Sequence, residues 1–261
     1  MGKTWRDRRS LIRRRAAYLS FLKEFCDSTE GQGTCERKWL ERMRGRLGYC
    51  AQLSRWAAVF LTEIDAAMFP PGCGMTPPHR CKLTAEMMAD IKTFWMRFLA
   101  EKDAPWLVLR QWSTLPKEEA IAFTHFVSSS DASGRWGAGG VTEWEDLQRQ
   151  WAPVERPLHI NVKELVAAAD TAVARMSRYA GGRLIMELDN KGAVGYVNRG
   201  TAGVPEARPI LRALGAAALA YNVEVRAMWR CGEAMGPIGT DPNSRGKAPE
   251  TARQLPRVWQ A

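Results

Sequence analysis

The sequence predicts an α/β domain over residues 116–245, a five-stranded mixed sheet with flanking helices. Ahead of it lies a basic helical region, residues 1–115, and behind it a short basic tail, 246–261. Two observations carry this reading. Up to about residue 115 apolar side chains recur at helical spacing, whereas beyond it short β-favouring runs are interleaved with helical ones in the order β-β-β-α-β-α-β-α. The strand-like runs also end on acids, Asp131 and Asp189, with Glu164 on the intervening helix.

In the N-terminal region, residues 5–26 place Leu11, Ile12, Tyr18, Leu19, Leu22 and Phe25 at helical spacing. Arg8, Arg9, Arg13, Arg14 and Arg15 fall on the opposite face. Residues 27–33 are a break, and a second helical segment covers about 36–68, in which Trp39, Trp56 and Phe60 are expected in the core. Pro70 to Pro78 is a long turn. A third helix follows, capped by Thr84 and lined by Met87, Ile91, Phe94, Trp95, Phe98 and Leu99. Residues 105–116 read as a linker.

In the second region, residues 120–127 form a buried strand that reaches Asp131, and the glycine-rich Ser133–Gly140 turn leads into a second strand through Val141. A third strand lies within 144–151. Asn161 to Tyr179 is a helix, and the Asn161…Glu164 spacing fits a capping box. Leu184 to Asp189 is a short apolar strand, as expected where helices cover both faces of a sheet. Asn190 is placed to cap a short helix over 192–197, and a longer helix over 205–221 tolerates Pro209 in its first turn. Residues 223–229 alternate as an edge-side strand, and His125 and His159 are expected to be packing residues.

With 46% hydrophobic and 25% charged residues the chain can bury a core, and no apolar run approaches membrane-spanning length. No signal-peptide pattern is visible, so an intracellular protein is expected, with Cys26, Cys35, Cys50, Cys73, Cys81 and Cys231 as reduced thiols. Cys73, His79 and Cys81 lack a fourth zinc ligand at workable spacing. The net charge of +10 resides at the ends: residues 1–60 hold 14 Lys/Arg against 6 Asp/Glu, while residues 116–245 balance at 15 against 15. Such a distribution suits a polyanion gripped outside a neutral catalytic half, and equally suits a merely solvated helix face.

Asp131, Glu164, Asp189 and Asp241 are the candidate catalytic residues. If the strands ending at Asp131 and Asp189 are parallel neighbours, both carboxylates emerge at one sheet edge, where ligands of α/β proteins gather. Glu164, in the first turn of the crossover helix, would point back across that edge. Carboxylates so close need a cation, and oxygen-only ligands select Mg²⁺ or Mn²⁺. Two such ions about 4 Å apart would activate water and stabilise the leaving oxygen of a phosphodiester.

The quoted segments resemble the ribonuclease H domain of retroelement reverse transcriptases, most closely the tyrosine-recombinase (DIRS-type) class. The resemblance rests on Ser130-Asp131-Ala132-Ser133 with Trp136-Gly137-Ala138, and on Ile160 to Leu165. It continues through Leu188-Asp189-Asn190 with Ala193 to Gly200, and ends on Asp241 to Arg245. Residues 36–112 are similar to the helical connection that precedes that domain. The resemblance implies a ribonuclease H-like fold and two metal ions held by Asp131, Glu164, Asp189 and Asp241. The implied substrate is the RNA strand of an RNA–DNA hybrid, recognised by backbone shape and 2′-hydroxyls. Ser133 and Asn190, beside the acids, and Arg13, Arg14 and Arg15 of the first helix are the candidate substrate-binding residues.

The family's histidine after the last strand is replaced by Trp229-Arg230, its Leu before Ser244 is Asn243, and no Tyr-x-Asp-Asp polymerase motif occurs. A separate polymerase chain is a candidate partner beside the nucleic acid. Two alternatives stand beside the hybrid-cutting nuclease: a catalytically degenerate module that binds nucleic acid or scaffolds a retroelement complex, and a nuclease of the same fold acting on DNA.

Overall fold

The computed structural model describes residues 3–51, 55–74, 76–100 and 125–258. The expected linker at 105–116 and the first residues of the expected strand, 120–124, lie outside them, as do the side chains of Leu11, Ile12 and Arg13. The chain divides into two compact units, Met1–Thr114 and Leu115–Ala261. Among the described residues no helix is long and apolar enough to cross a membrane.

The first unit opens with helix α1 (Lys3–Ser28), whose Leu22 and Phe25 are buried. Strand β1 (Thr34–Glu36) leads into α2 (Arg37–Ala51), which buries Leu40, Met43 and Leu47 at helical spacing. The single helical segment expected over 36–68 is broken by a 3₁₀ turn (Arg55–Leu61) before α3 (Thr62–Met68). Strand β2 (Arg80–Lys82) pairs antiparallel with β1, setting Cys35 opposite Cys81 with both thiols free. Thr84 caps α4 (Ala85–Ala89) as expected, its hydroxyl accepting from the Met87 N–H at 3.1 Å. A π turn (Asp90–Trp95) joins α4 to α5 (Met96–Ala100). Trp56 and Phe60 are buried, while Trp39 is half-exposed with its ring beside Phe21 and Phe25.

The second unit is a mixed sheet with flanking helices. Its strands are β3 (His125–Ala132), β4 (Gly137–Thr142), β5 (Asp146–Gln150), β6 (Arg183–Leu188), β7 (Glu224–Trp229) and β8 (Arg253–Gln254). They run in the order β7-β6-β3-β4-β5-β8. The sheet thus has six strands rather than the expected five. The sixth comes from the segment expected to be a tail: β8 pairs parallel with β5, and Leu255 beyond it is buried. β3, β4 and β5 form an antiparallel meander, while β6 and β7 run parallel to β3. The parallel neighbours β3 and β6 are joined through helix α6 (Ile160–Ala174), which is buried along most of its length. Next come α7 (Lys191–Arg199), α8 (Ala207–Ala220), α9 (Gly232–Met235) and α10 (Thr240–Ser244).

β4 is glycine-rich because both its faces are approached closely. A Cβ on Gly139 would sit 2.3 Å from the Ser244 backbone N, and one on Gly140 would sit 2.1 Å from Thr171 Oγ1 on α6. The strand can therefore lie between α10 and α6 only without side chains at these two positions.

The two histidines are not packing residues. His125 is exposed at the start of β3, and His159 is the exposed N-cap of α6, its Nδ1 accepting from the Asn161 N–H at 3.2 Å. The helix starts ahead of Asn161, so the expected Asn161–Glu164 capping box does not form.

Candidate metal centre

Asp131 is the penultimate residue of β3, and Asp189 follows the last residue of β6. Because the two strands are parallel neighbours, both acids reach the same edge of the sheet. Glu164 lies in the first turns of α6 with its carboxylate turned toward β3: Oε1 accepts from the Ala132 N–H at 3.3 Å. One carboxylate oxygen from each of Asp131, Glu164 and Asp189 lies within 4.8 Å of the other two. Among the described residues this is the only such cluster of potential metal ligands, and Cys73, His79 and Cys81 form none.

The electrostatics are those of crowded like charges in a poorly solvated place. Glu164 is 4% exposed, and its carboxyl is pushed up to about 9 by burial, then by Asp131 and Asp189. Burial likewise raises Asp131, against the pull of a short hydrogen bond from Ser244 Oγ to its Oδ2 (2.5 Å), and raises Asp189 together with repulsion from Asp131. Glu164 Oε2 is buried without a hydrogen-bond partner, as is Ser130 Oγ. Three convergent carboxylates with one orphaned oxygen fit a hard divalent cation, which would satisfy that oxygen and offset the repulsion.

No protein-family model matches the chain, and no curated protein matches it.

Asp241, the fourth candidate, stands outside the group of three. It lies in the first turn of α10, and its Oδ1 accepts from Arg245 Nε (2.8 Å) and pairs with Arg245 Nη2 (2.7 Å). It is still near enough to raise both Asp131 and Asp189 through repulsion. Asn243, in place of the expected Leu, is buried and anchors α10 to the sheet. Its Nδ2 donates to Gly140 O at 3.2 Å and to Asp146 Oδ1 at 3.0 Å.

The residues expected to touch substrate have structural partners of their own. Ser133 Oγ accepts from the Trp136 and Gly137 N–H groups, both at 2.9 Å, and so holds the β3–β4 turn. Asn190 caps α7 through the Ala193 N–H (2.9 Å) and donates to Asn161 Oδ1 (2.9 Å), tying the starts of α6 and α7 together beside the acids. Arg14 and Arg15 belong to the first unit, where Arg14 lies over the Tyr49 ring and Arg15 donates to Ala100 O.

Ser244 is the site residue with the weakest sequence signal. In the sequence it stands out only as the fourth residue of the Asp241–Arg245 segment that carries the resemblance. Its hydroxyl donates to Asp131 Oδ2 and also lies within reach of the Asp241 backbone carbonyl at 2.9 Å, which ties the Asp131 carboxylate to the start of α10. Placement of Ser244 depends on Gly139. Gly139→Ala is expected to push α10 off β4, at a cost of about 1–3 kcal/mol. Thermal denaturation would read the lost stability and a divalent-cation titration the weakened site; unchanged values in both would show that α10 relaxes freely.

Proposed function

We propose that the second unit is a ribonuclease H-like, metal-dependent endoribonuclease that cleaves the RNA strand of RNA–DNA hybrids. One observation carries the reading: three acids distant in sequence, from β3, α6 and the end of β6, converge at one edge of a parallel strand pair. The sheet order supports it, with β3 central, the antiparallel meander on one side and the parallel strands on the other. β8 is an addition to that plan.

Asp131, Glu164 and Asp189 would hold two Mg²⁺ or Mn²⁺ ions, with Asp241 as a further ligand. Such ions, when bound, make the carboxylates tolerable together, activate water and stabilise the leaving oxygen. The chain's own residues fix the geometry beforehand. Ser244 orients Asp131, and the Ala132 N–H orients one Glu164 oxygen and leaves the other for the cation. The Asn190–Asn161 bond sets the distance between the helix carrying Glu164 and the turn carrying Asp189. Arg13, Arg14, Arg15 and the other cations of the first unit would supply phosphate contacts.

A second reading, a degenerate module that binds nucleic acid without cutting, is favoured by the pairing of Asp241 with Arg245 and by the absence of histidine from 229–240. Incubation with end-labelled RNA–DNA hybrid in Mg²⁺ or Mn²⁺ separates the two. Cleavage of the RNA strand is expected, with a loss of at least about 100-fold in Asp131→Asn. Cleavage by both proteins or by neither would sink the catalytic assignment. A duplex DNA arm in the same assay tests the DNA-cutting alternative.

A further inference from the structure

Beside the acids stands an aromatic side chain that the metal chemistry does not use. Trp229 ends the edge strand β7 and is 49% exposed. Its orientation is fixed, because Nε1–H donates to the backbone carbonyl of Asp189 at 3.0 Å. The ammonium of Lys191 lies 4.8 Å from the ring centroid. Arg230, the next residue, is 42% exposed at its side chain and pairs with Glu187, which also accepts from Ser129.

A single exposed apolar residue is ordinary. Here, however, the ring is pinned by a hydrogen bond to the residue that supplies the third acid, and the Lys191 ammonium lies over one of its faces. We infer that Trp229, with Lys191, is a stacking platform for one unpaired nucleobase of the strand whose phosphodiester lies at the acids. The inference rests on the nucleic-acid reading above and narrows the substrate class. Bases inside a duplex are already stacked, so an open indole gains most from a nucleotide outside the paired region. The preferred ligand is then a hybrid that gives way to single strand at the site, rather than a blunt duplex. Lys191 answers the strand's charge while the indole takes the base.

The test is scored by binding, so that it stays readable if the cleavage assay fails. Affinity of the full chain is measured in the Asp131→Asn background for a blunt RNA–DNA hybrid and for hybrids carrying a short overhang on each of the four strand ends. One overhang is expected to tighten binding about 5- to 100-fold, the range that stacking of one base spans. An abasic nucleotide at its first position, or Trp229→Ala, should remove the gain. Trp229→Phe, which keeps a ring and loses the N–H, should retain most of it. No gain from any overhang, or a gain that persists in Trp229→Ala, would overturn the platform. Cleavage without this preference would leave the nuclease standing and remove only the platform.

Discussion

Glu164→Gln is expected to melt higher than the unaltered protein in metal-free buffer at about pH 8, by about 4–8 °C, while cutting no hybrid. The gain corresponds to about 2 kcal/mol, within the cost of leaving one buried polar group unsatisfied, spread over a unit of this size. In the fold, burial followed by the charges of Asp131 and Asp189 pushes Glu164 up to about 9, from an ordinary 4.5. Between those values the folded protein holds a proton that the unfolded chain has released. The contribution of Glu164 to stability is therefore fully present below 4.5 and is lost as pH rises through 9. Glutamine does not ionise, so the variant's advantage should vanish at about pH 4 and widen as pH rises. Added Mg²⁺ or Mn²⁺ should stabilise the unaltered protein, increasingly with pH because the cation displaces the proton, and do little for the variant. Thermal scans at both pH values, with and without chelator, read all four corners. A variant less stable than the original at about pH 8 without metal would mean that the fold already satisfies the Glu164 carboxylate.

The acids that meet were legible because each follows a strong local pattern. Val127 to Asp131 and Leu184 to Asp189 are short runs that stop on a carboxylate, and Glu164 opens a long Ala- and Val-rich helix. What was not legible depends on contacts between distant segments. The Asn161…Glu164 spacing matches a capping box, yet His159 takes the cap, and the two side chains turn instead to Asn190 and to Ala132. β8 is two residues long and carries no alternation. Only its position beside β5 makes it a strand, with Leu255 donating its N–H to Gln148 O at 3.0 Å. The surplus of positive charge in that segment marks it as a basic tail suited to a polyanion, but Arg253 pairs with Glu145 and Arg257 approaches Glu155. Charge counting sees the cations and misses the partners that tertiary structure brings to them. The same holds for Asn243, which reads as a departure from an apolar position and is in fact a buried anchor.

Arg149→Met is expected to cost about 3–5 kcal/mol and to lower the melting temperature by about 10 °C, the largest loss of stability foreseen for this chain. Arg149 on β5 is buried between Glu155 and Asp170, both also buried. Its Nε and Nη2 donate to Asp170 Oδ2 at 2.8 and 2.6 Å, and Nη1 and Nη2 donate to the two Glu155 oxygens at 2.7 Å each. Burial opposes the charge on Arg149 and on Glu155, but the bonds between them prevail, holding Arg149 above and Glu155 below their ordinary values. Asp170 is the more poorly balanced carboxylate, pushed up to about 6 by burial despite Arg149. Methionine preserves much of the arginine's volume and leaves two carboxylates with no buried counter-charge, so the loss measures electrostatics rather than a cavity. The damage should spread in two directions. Asp170 is on α6, the helix that carries Glu164, and its Oδ1 accepts the Val258 N–H at 3.1 Å, which fastens the chain beyond β8. Amide exchange in Arg149→Met should therefore rise along 253–258 and in the last turns of α6 before it rises in β3. Replacing all three charges together, Arg149→Met with Glu155→Leu and Asp170→Leu, should recover most of the stability, because apolar groups of similar size need no counter-charge. If the single variant loses less than about 1 kcal/mol, or the triple variant is as unstable as the single, the three charges do not act as one buried network.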